Sequence, residues 1–181
     1  MKQSKYPFFI ASIILLLHLH ADGTFGNSSI SKQLFNYIRN NLAIGSTILE
    51  LGSGWASGEL SKYYTVYSIE HDKKWVNQYT TNYIYAPIKN KWYDVATLKK
   101  ELPTAYDLIL VDGPPGPIGR YGFYKNLSLF NTNVPIIFDD INRKAEYNLM
   151  IDTASFLQHK IALFEGKEKY FGVVIPEKKA S

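Results

Sequence analysis

Apolar positions along this chain change their period repeatedly, and the changes mark out its elements. In residues 26–42 (GNSSISKQLFNYIRNNL), Ile30, Leu34, Tyr37 and Ile38 recur at helical spacing behind Ser28 or Ser29 as a cap. Gly45 ends that helix, and residues 46–51 (STILEL) form a short apolar run that predicts a buried strand. Residues 57–64 then read as a helix, 65–72 (TVYSIEHD) as a strand, 73–81 (KKWVNQYTT) as a helix, and 82–88 as a strand stopped by Pro87. A helix over 92–102 precedes a strand over 106–112 (YDLILVD). A further strand, 134–140 (VPIIFDD), leads into a long helix reaching about His159. The closing segments, KIALFEG and KYFGVVIP, predict two strands joined by a turn at the sheet edge. Strands alternating with helices imply βαβ units. The predicted fold is therefore α/β: a Rossmann-like, doubly wound, mostly parallel sheet with a C-terminal antiparallel hairpin.

Composition narrows the class. The 181 residues suit one domain, and 46% hydrophobic with 20% charged residues describes a globular chain. A net charge of +4, spread without a block of like charge, gives little support for a nucleic-acid partner. Having no cysteine excludes disulfides, CxxC redox chemistry and thiolate zinc sites.

The N-terminus reads differently from the rest. Lys2 and Lys5 precede an apolar run over residues 8–17, short against the ~20 residues that span a bilayer. Residues 1–21 thus read as a packed N-terminal helix, a signal-like leader or a membrane anchor, with contact to a membrane through residues 6–20. Residues 22–181 form the main domain.

Carboxylates stand at the predicted strand ends: Glu50, Glu70 with Asp72, Asp112, and Asp139 with Asp140. In open parallel sheets ligands bind outside those ends. Gly52, Gly54 and Gly58 follow the first strand, but no lysine follows Gly58, which excludes a P-loop. The third glycine is also one residue late for a dinucleotide fingerprint, which disfavours a nicotinamide-dependent oxidoreductase. Glu70, eighteen residues past Gly52 (70 − 52), is placed to accept hydrogen bonds from a ribose diol. Glu50, ahead of the loop, would repel a pyrophosphate but suits an ammonium group. A ligand with ribose hydroxyls, an amino group and no phosphate fits these features, and S-adenosylmethionine is such a ligand.

The segments ILELGSGWASG, YSIEHD, YDLILVDGPPGPIGRYG and PIIFDDINR resemble motifs of small bacterial class I S-adenosylmethionine-dependent methyltransferases, over about residues 30–176. The resemblance implies a seven-stranded sheet whose last strand is antiparallel. It also implies that Gly52, Ser53 and Gly54 line the methionine part, that Glu70 holds the ribose with His71 beside it, and that residues near Ala86-Pro87 border the adenine. Enzymes that methylate amino groups of DNA bases carry an Asn/Asp/Ser-Pro-Pro-aromatic motif. Here Gly113 separates Asp112 from Pro114-Pro115, and Gly116 replaces the aromatic, so a nucleic-acid acceptor is disfavoured.

Asp112 lies 27 residues before Asp139 and 28 before Asp140 (139 − 112; 140 − 112). That spacing is similar to the acidic triad that holds Mg²⁺ in metal-dependent O-methyltransferases, which makes Asp112, Asp139 and Asp140 candidate ligands. The plainer alternative is that Asp139 or Asp140 caps the following helix while Arg143 neutralises the other. Arg120 and Arg143 suit either an anionic acceptor or pairing with these acids. The expected activity is methyl transfer from S-adenosylmethionine to an oxygen of a sugar or other small molecule. Asp112, Asp140 and Arg143 are the candidate catalytic residues, and Asp112 also borders the cofactor. A non-catalytic cofactor-binding module of the same fold is the alternative. The short chain implies an acceptor site that is open, completed by a partner subunit as in a homodimer, or suited to a large substrate such as a polysaccharide. Because the donor is made in the cytoplasm, that compartment is expected, with membrane attachment or export as the alternatives posed by the leader.

Overall fold

A computed structural model of the chain describes residues 24–26, 29–166 and 169–177. The predicted leader, residues 1–21, lies outside them. Among the described residues no helix is long and apolar enough to cross a membrane.

Seven strands form one sheet: β1 (Thr47–Leu51), β2 (Thr65–Glu70), β3 (Asn82–Tyr85), β4 (Leu108–Val111), β5 (Ile136–Phe138), β6 (Lys160–Phe164) and β7 (Phe171–Ile175). Their spatial order is β3-β2-β1-β4-β5-β7-β6. The first five run parallel, while β7 inserts antiparallel between β5 and the edge strand β6. The order reverses between β1 and β4, which opens a crevice at the carboxyl ends of those strands. The expected α/β fold, with its antiparallel C-terminal hairpin, is the fold observed.

Central strands are buried on both faces. Every residue of β4 and β5 is buried, as is all of β1 after Thr47, because helices cover both sides of a parallel sheet. Strand alternation divides the core. Leu49, Leu51, Ile109, Val111 and Phe138 face Phe123, Leu149 and Met150, whereas Ile48, Val66, Leu108, Leu110 and Ile137 face Leu34, Ile38 and Leu60. The second face is covered by α1 (Lys32–Asn41) and α2 (Trp55–Ser61). The first is covered by α3 (Val95–Glu101), α4 (Gly122–Lys125) and α5 (Lys144–Leu157).

Local chemistry sets the boundaries. Ser31, rather than Ser28 or Ser29, caps α1 by accepting from Leu34 N at 3.1 Å. Asp94 caps α3, so that helix begins at Val95, and the preceding Trp92–Tyr93 pairs with Ile88–Lys89 in a small antiparallel ribbon. The helix expected over residues 73–81 is a chain of turns. Asn77 takes φ +64, and Thr81 and Asn82 turn their side chains to Val66 O at 2.9 and 3.1 Å. Threonine and asparagine side chains that reach backbone acceptors in this way compete with helical bonding.

The β1 and β4 exits meet through two glycines. A Cβ built on Gly113 would fall 2.7 Å from Gly52 Cα, 2.8 Å from Gly52 N and 2.5 Å from the Tyr93 hydroxyl, while Gly52 itself holds φ +91. Backbone lies on one side and a buried phenol on the other, so a methyl group has no room. Gly113→Ala is expected to cost about 1–3 kcal/mol, the range for overpacking. Gly116→Ala, where the added carbon meets only Arg143 Nη1 at an ordinary 3.5 Å, serves as the near-neutral control. Urea denaturation of both variants checks the contrast.

Candidate functional site

A cleft of about 260 Å³ opens where the strand order reverses. Gly52, Ser53, Glu70 and His71 line one side, and Asp112, Asp140, Arg143 and Lys169 line the other. Trp75 stands at its rim, 43% exposed. Seven of the ten candidate cofactor, metal and catalytic residues read from the sequence therefore share one cavity, and Arg120 lines it with them.

Glu70 organises the first side. Its Oε2 accepts from Ser53 N at 3.1 Å and Ser53 Oγ at 2.7 Å, and its Oε1 accepts from the backbone N–H groups of His71 and Asp72 at 2.7 and 2.8 Å. His71 Nδ1 lies 2.9 Å from the same Oε1. The carboxylate of Glu70 is thus oriented by the turn that follows β2 and clasped by the turn that follows β1.

Glu50, Gly54 and Asp139 do not line the cleft. Glu50, expected to meet an ammonium group, is buried beneath the glycine loop, where its Oε2 accepts from Ser57 Oγ and Ser68 Oγ at 2.6 Å each. Ser57 Oγ in turn accepts from Gly54 N at 2.9 Å. This chain makes Glu50 the floor that supports the loop. Ala86 is also buried and bonds to Glu70 O through its N–H at 2.8 Å. Trp92 belongs to the core, and Trp55 lines a separate groove with Tyr79.

The second side is a buried ion cluster. One ligand oxygen from each of Asp112, Asp139 and Asp140 lies within 4.8 Å of the others, so the spacing in the sequence correctly brings the three acids together. Neither Asp139 nor Asp140 caps α5, whose N-cap is Arg143 with no side-chain cap bond. Arg120 takes that space instead. Its guanidinium donates to Asp112 Oδ1 and Asp140 Oδ2 at 3.1 Å each, and to the carbonyls of Asp139 and Pro114 at 3.1 and 3.3 Å. Arg143 reaches Asp140 Oδ2 at 3.1 Å.

Lys169, which the sequence reading passed over, completes the cluster. Its ammonium lies 3.0 Å from Asp139 Oδ2 and 3.0 Å from Asp140 Oδ1. The signal for it was topological: β7 runs antiparallel beside β5, so the residues before β7 abut the acids after β5. Burial works against the charged ammonium, but Asp139, Asp112 and Asp140 outweigh it and hold the Lys169 pKa above its ordinary value. Burial, reinforced by the Asp139 charge, raises Asp112 well above the usual carboxylate range against the pull of Arg120 and Lys169.

Mg²⁺, one of the two readings of the acid spacing, does not fit this arrangement. A hard octahedral cation needs free oxygen ligands at about 2.0–2.1 Å. Here three carboxylates already face three cationic side chains, and among the three acids only Asp139 Oδ1 is a buried oxygen with no partner. Entry of a dication would require the lysine to leave.

No known protein family matches the sequence, and no curated protein matches it. Solved structures do match the fold. A methyltransferase-like protein from Silicibacter pomeroyi is similar at TM-score 0.56 and 19% identity, over 82% of this chain and 88% of that one. The ribosomal protein L11 methylase from Lactobacillus delbrueckii subsp. bulgaricus is similar at TM-score 0.56 and 16% identity, over 85% and 81%. A Streptococcus pneumoniae protein solved in complex with S-adenosyl-L-methionine is similar at TM-score 0.52 and 17% identity, over 84% and 76%. The chain has the fold of the class I S-adenosylmethionine-dependent methyltransferases.

Glu50 makes the loop's support sensitive to pH. Burial, only partly offset by its two serine bonds, raises its pKa from 4.5 to about 7. A carboxyl raised in the folded state holds its proton longer there than in the unfolded chain. Its ionisation therefore costs the fold nothing below about pH 4.5 and an increasing amount as pH climbs through 7. At one pKa unit per 1.36 kcal/mol, the full cost is about 3 kcal/mol. Glu50→Gln is expected to gain roughly 2 kcal/mol on the wild type between pH 5 and pH 8, read from urea denaturation at both values.

Proposed function

We propose that this chain is an S-adenosylmethionine-dependent methyltransferase whose acceptor is a hydroxyl oxygen of a sugar or other small molecule. The observation that carries the reading is the placement of Glu70: a carboxylate at the end of β2, facing the Gly52–Ser53 turn across one cleft. A ribose hydroxyl would replace the Ser53 hydroxyl at Oε2, the acceptor position that a side-chain rotation frees, while the backbone N–H groups keep the carboxylate oriented. Glycine at position 52 lets the methionine end of the ligand approach the backbone. The fold adds support, since the Streptococcus pneumoniae neighbour was solved with this ligand.

When bound, the cofactor supplies a methyl group on a positively charged sulfur. The chain's own residues supply position and a proton acceptor. Asp112 retains 21% side-chain exposure, so its carboxylate is open to the cleft. Its cleft-facing oxygen is placed to take the acceptor's proton as the carbon–sulfur bond breaks and the carbon–oxygen bond forms. Arg143, about half exposed, is free on its outer side to orient the acceptor, while Asp140, buried between Arg120, Arg143 and Lys169, holds those cations in place. Holding two reactants in line contributes about 7–11 kcal/mol in well-oriented systems, more than any one acid or base. The acceptor is argued from the cleft because the fold serves unlike substrates, one neighbour being a methylase of a ribosomal protein.

Calorimetric titration of the full chain with S-adenosylhomocysteine tests the cofactor assignment. Micromolar binding is expected, weakened at least ~30-fold in Glu70→Ala by loss of a charged hydrogen-bond acceptor. A folded chain that binds no S-adenosylhomocysteine would overturn the reading. With a labelled donor and a panel of polyol and saccharide acceptors, Asp112→Asn is expected to lower transfer about 10²–10⁴-fold, the range for a general base. Unchanged transfer in that variant would remove Asp112 from the chemistry.

A further inference from the structure

We propose that Lys169 is a built-in cation occupying the position between Asp139 and Asp140 that a divalent metal ion would otherwise take, so that the positive charge beside the acceptor belongs to the chain and does not exchange. The inference deepens the proposed function, on which its chemical role rests, while the exclusion of a metal ion rests on the ion cluster alone.

Several observations converge on Lys169. Its ammonium spans two carboxylates from consecutive residues at 3.0 Å each, and its side chain is only 9% exposed. It lines the cleft together with Asp112 and Asp140, so the charge is presented where an acceptor would bind. It arrives from a different part of the fold than the acids. Ile141 N–H donates to Tyr170 O at 3.0 Å, which ties the residue after Asp140 to the residue after Lys169 and fixes the ammonium against the carboxylates.

The charge balance gives the same result from the other direction. Without Lys169, Asp139 would keep no cationic side chain at contact distance among the described residues, since Arg120 meets that residue through its backbone carbonyl and Arg143 meets Asp140 alone. Asp139 Oδ1, already buried and unpartnered, would be joined by an equally unpartnered Oδ2. A buried carboxylate left unpaired is strongly unfavourable and takes up a proton or a counter-ion. Asp139 Oδ2 and Asp140 Oδ1, the oxygens that faced the ammonium, are then free beside the buried Asp139 Oδ1, and oxygens of this kind are what a hard dication takes. A lysine differs from such an ion in one functional respect. It donates hydrogen bonds and cannot accept an oxygen lone pair as a Lewis acid does, so it steers and stabilises an acceptor without lowering its pKa as a metal would.

Manganese(II) binding, followed by the loss of its free-ion electron paramagnetic resonance signal, tests this without cofactor or acceptor. The full-length wild type is expected to take up no stoichiometric Mn²⁺. Lys169→Met is expected to bind one ion at least ~10-fold more tightly than wild type, in competition with Mg²⁺, because removing the ammonium leaves the buried acids uncompensated. Adding Asp139→Asn to that variant should abolish the gain. If Lys169→Met is unfolded alone, recovery of its circular dichroism by millimolar Mn²⁺ supports the proposal. Stoichiometric Mn²⁺ uptake by wild type that is lost in Asp139→Asn would overturn it. So would a folded Lys169→Met that takes up no ion, or an unfolded one that no ion restores. Separate titration with S-adenosylhomocysteine distinguishes failure here from failure of the cofactor assignment, because neither result depends on the other.

Discussion

Parallel strands that end side by side force their terminal side chains together, and in this molecule three of those side chains are carboxylates. The rest of the site depends on how that repulsion is met. Asp112 leaves β4, Asp139 and Asp140 leave β5, and their oxygens come within 4.8 Å. Arg120 answers from the same loop as Asp112, binding two of the acids and the carbonyls of Pro114 and Asp139, and so it ties both strand exits into one rigid body. Lys169 answers from across the sheet. Removing one partner of such a network leaves a buried charge, which costs far more than an exposed pair is worth. The second side of the cleft therefore has one arrangement, set by electrostatics more than by shape.

The first side is held by hydrogen bonds from hydroxyl and backbone N–H donors to two carboxyl groups. Glu50 supports the loop from below through Ser57 and Ser68, and Glu70 clasps it from the side through Ser53. Two carboxylates at the ends of neighbouring strands thus do different work. Glu50 sits on the strand face covered by α2 and never reaches the cleft, whereas Glu70, at the last position of β2, opens into it.

Most of the fold was legible because hydrophobic period and strand-end acids are local signals. Every strand of the main sheet lies inside a predicted segment, and Asp112, Asp139 and Asp140 converge as their spacing implied. The errors came where non-local partners decide. Residues 73–81 have the composition of a helix, yet Thr81 and Asn82 find a better acceptor in Val66 O of the neighbouring strand. Glu50 was assigned to a ligand because the sequence does not say which face of a strand end is covered. Lys169 was overlooked since it lies 29 residues from Asp140 in the chain (169 − 140) and meets it only through the antiparallel insertion of β7. The same lysine turns a metal-like acid spacing into a closed ion cluster.

The contact between Gly52 and Gly113 joins these two sides. One glycine belongs to the loop that would hold the donor, the other to the loop that carries Asp112. No side chain lies between them, so no rotamer change can lengthen or shorten the separation. The joint acts as a gauge block: main-chain atoms in van der Waals contact set the reach from donor to base. Sequence drift in the helices around the sheet can alter the cleft's walls, but that reach stays fixed as long as both positions lack a side chain.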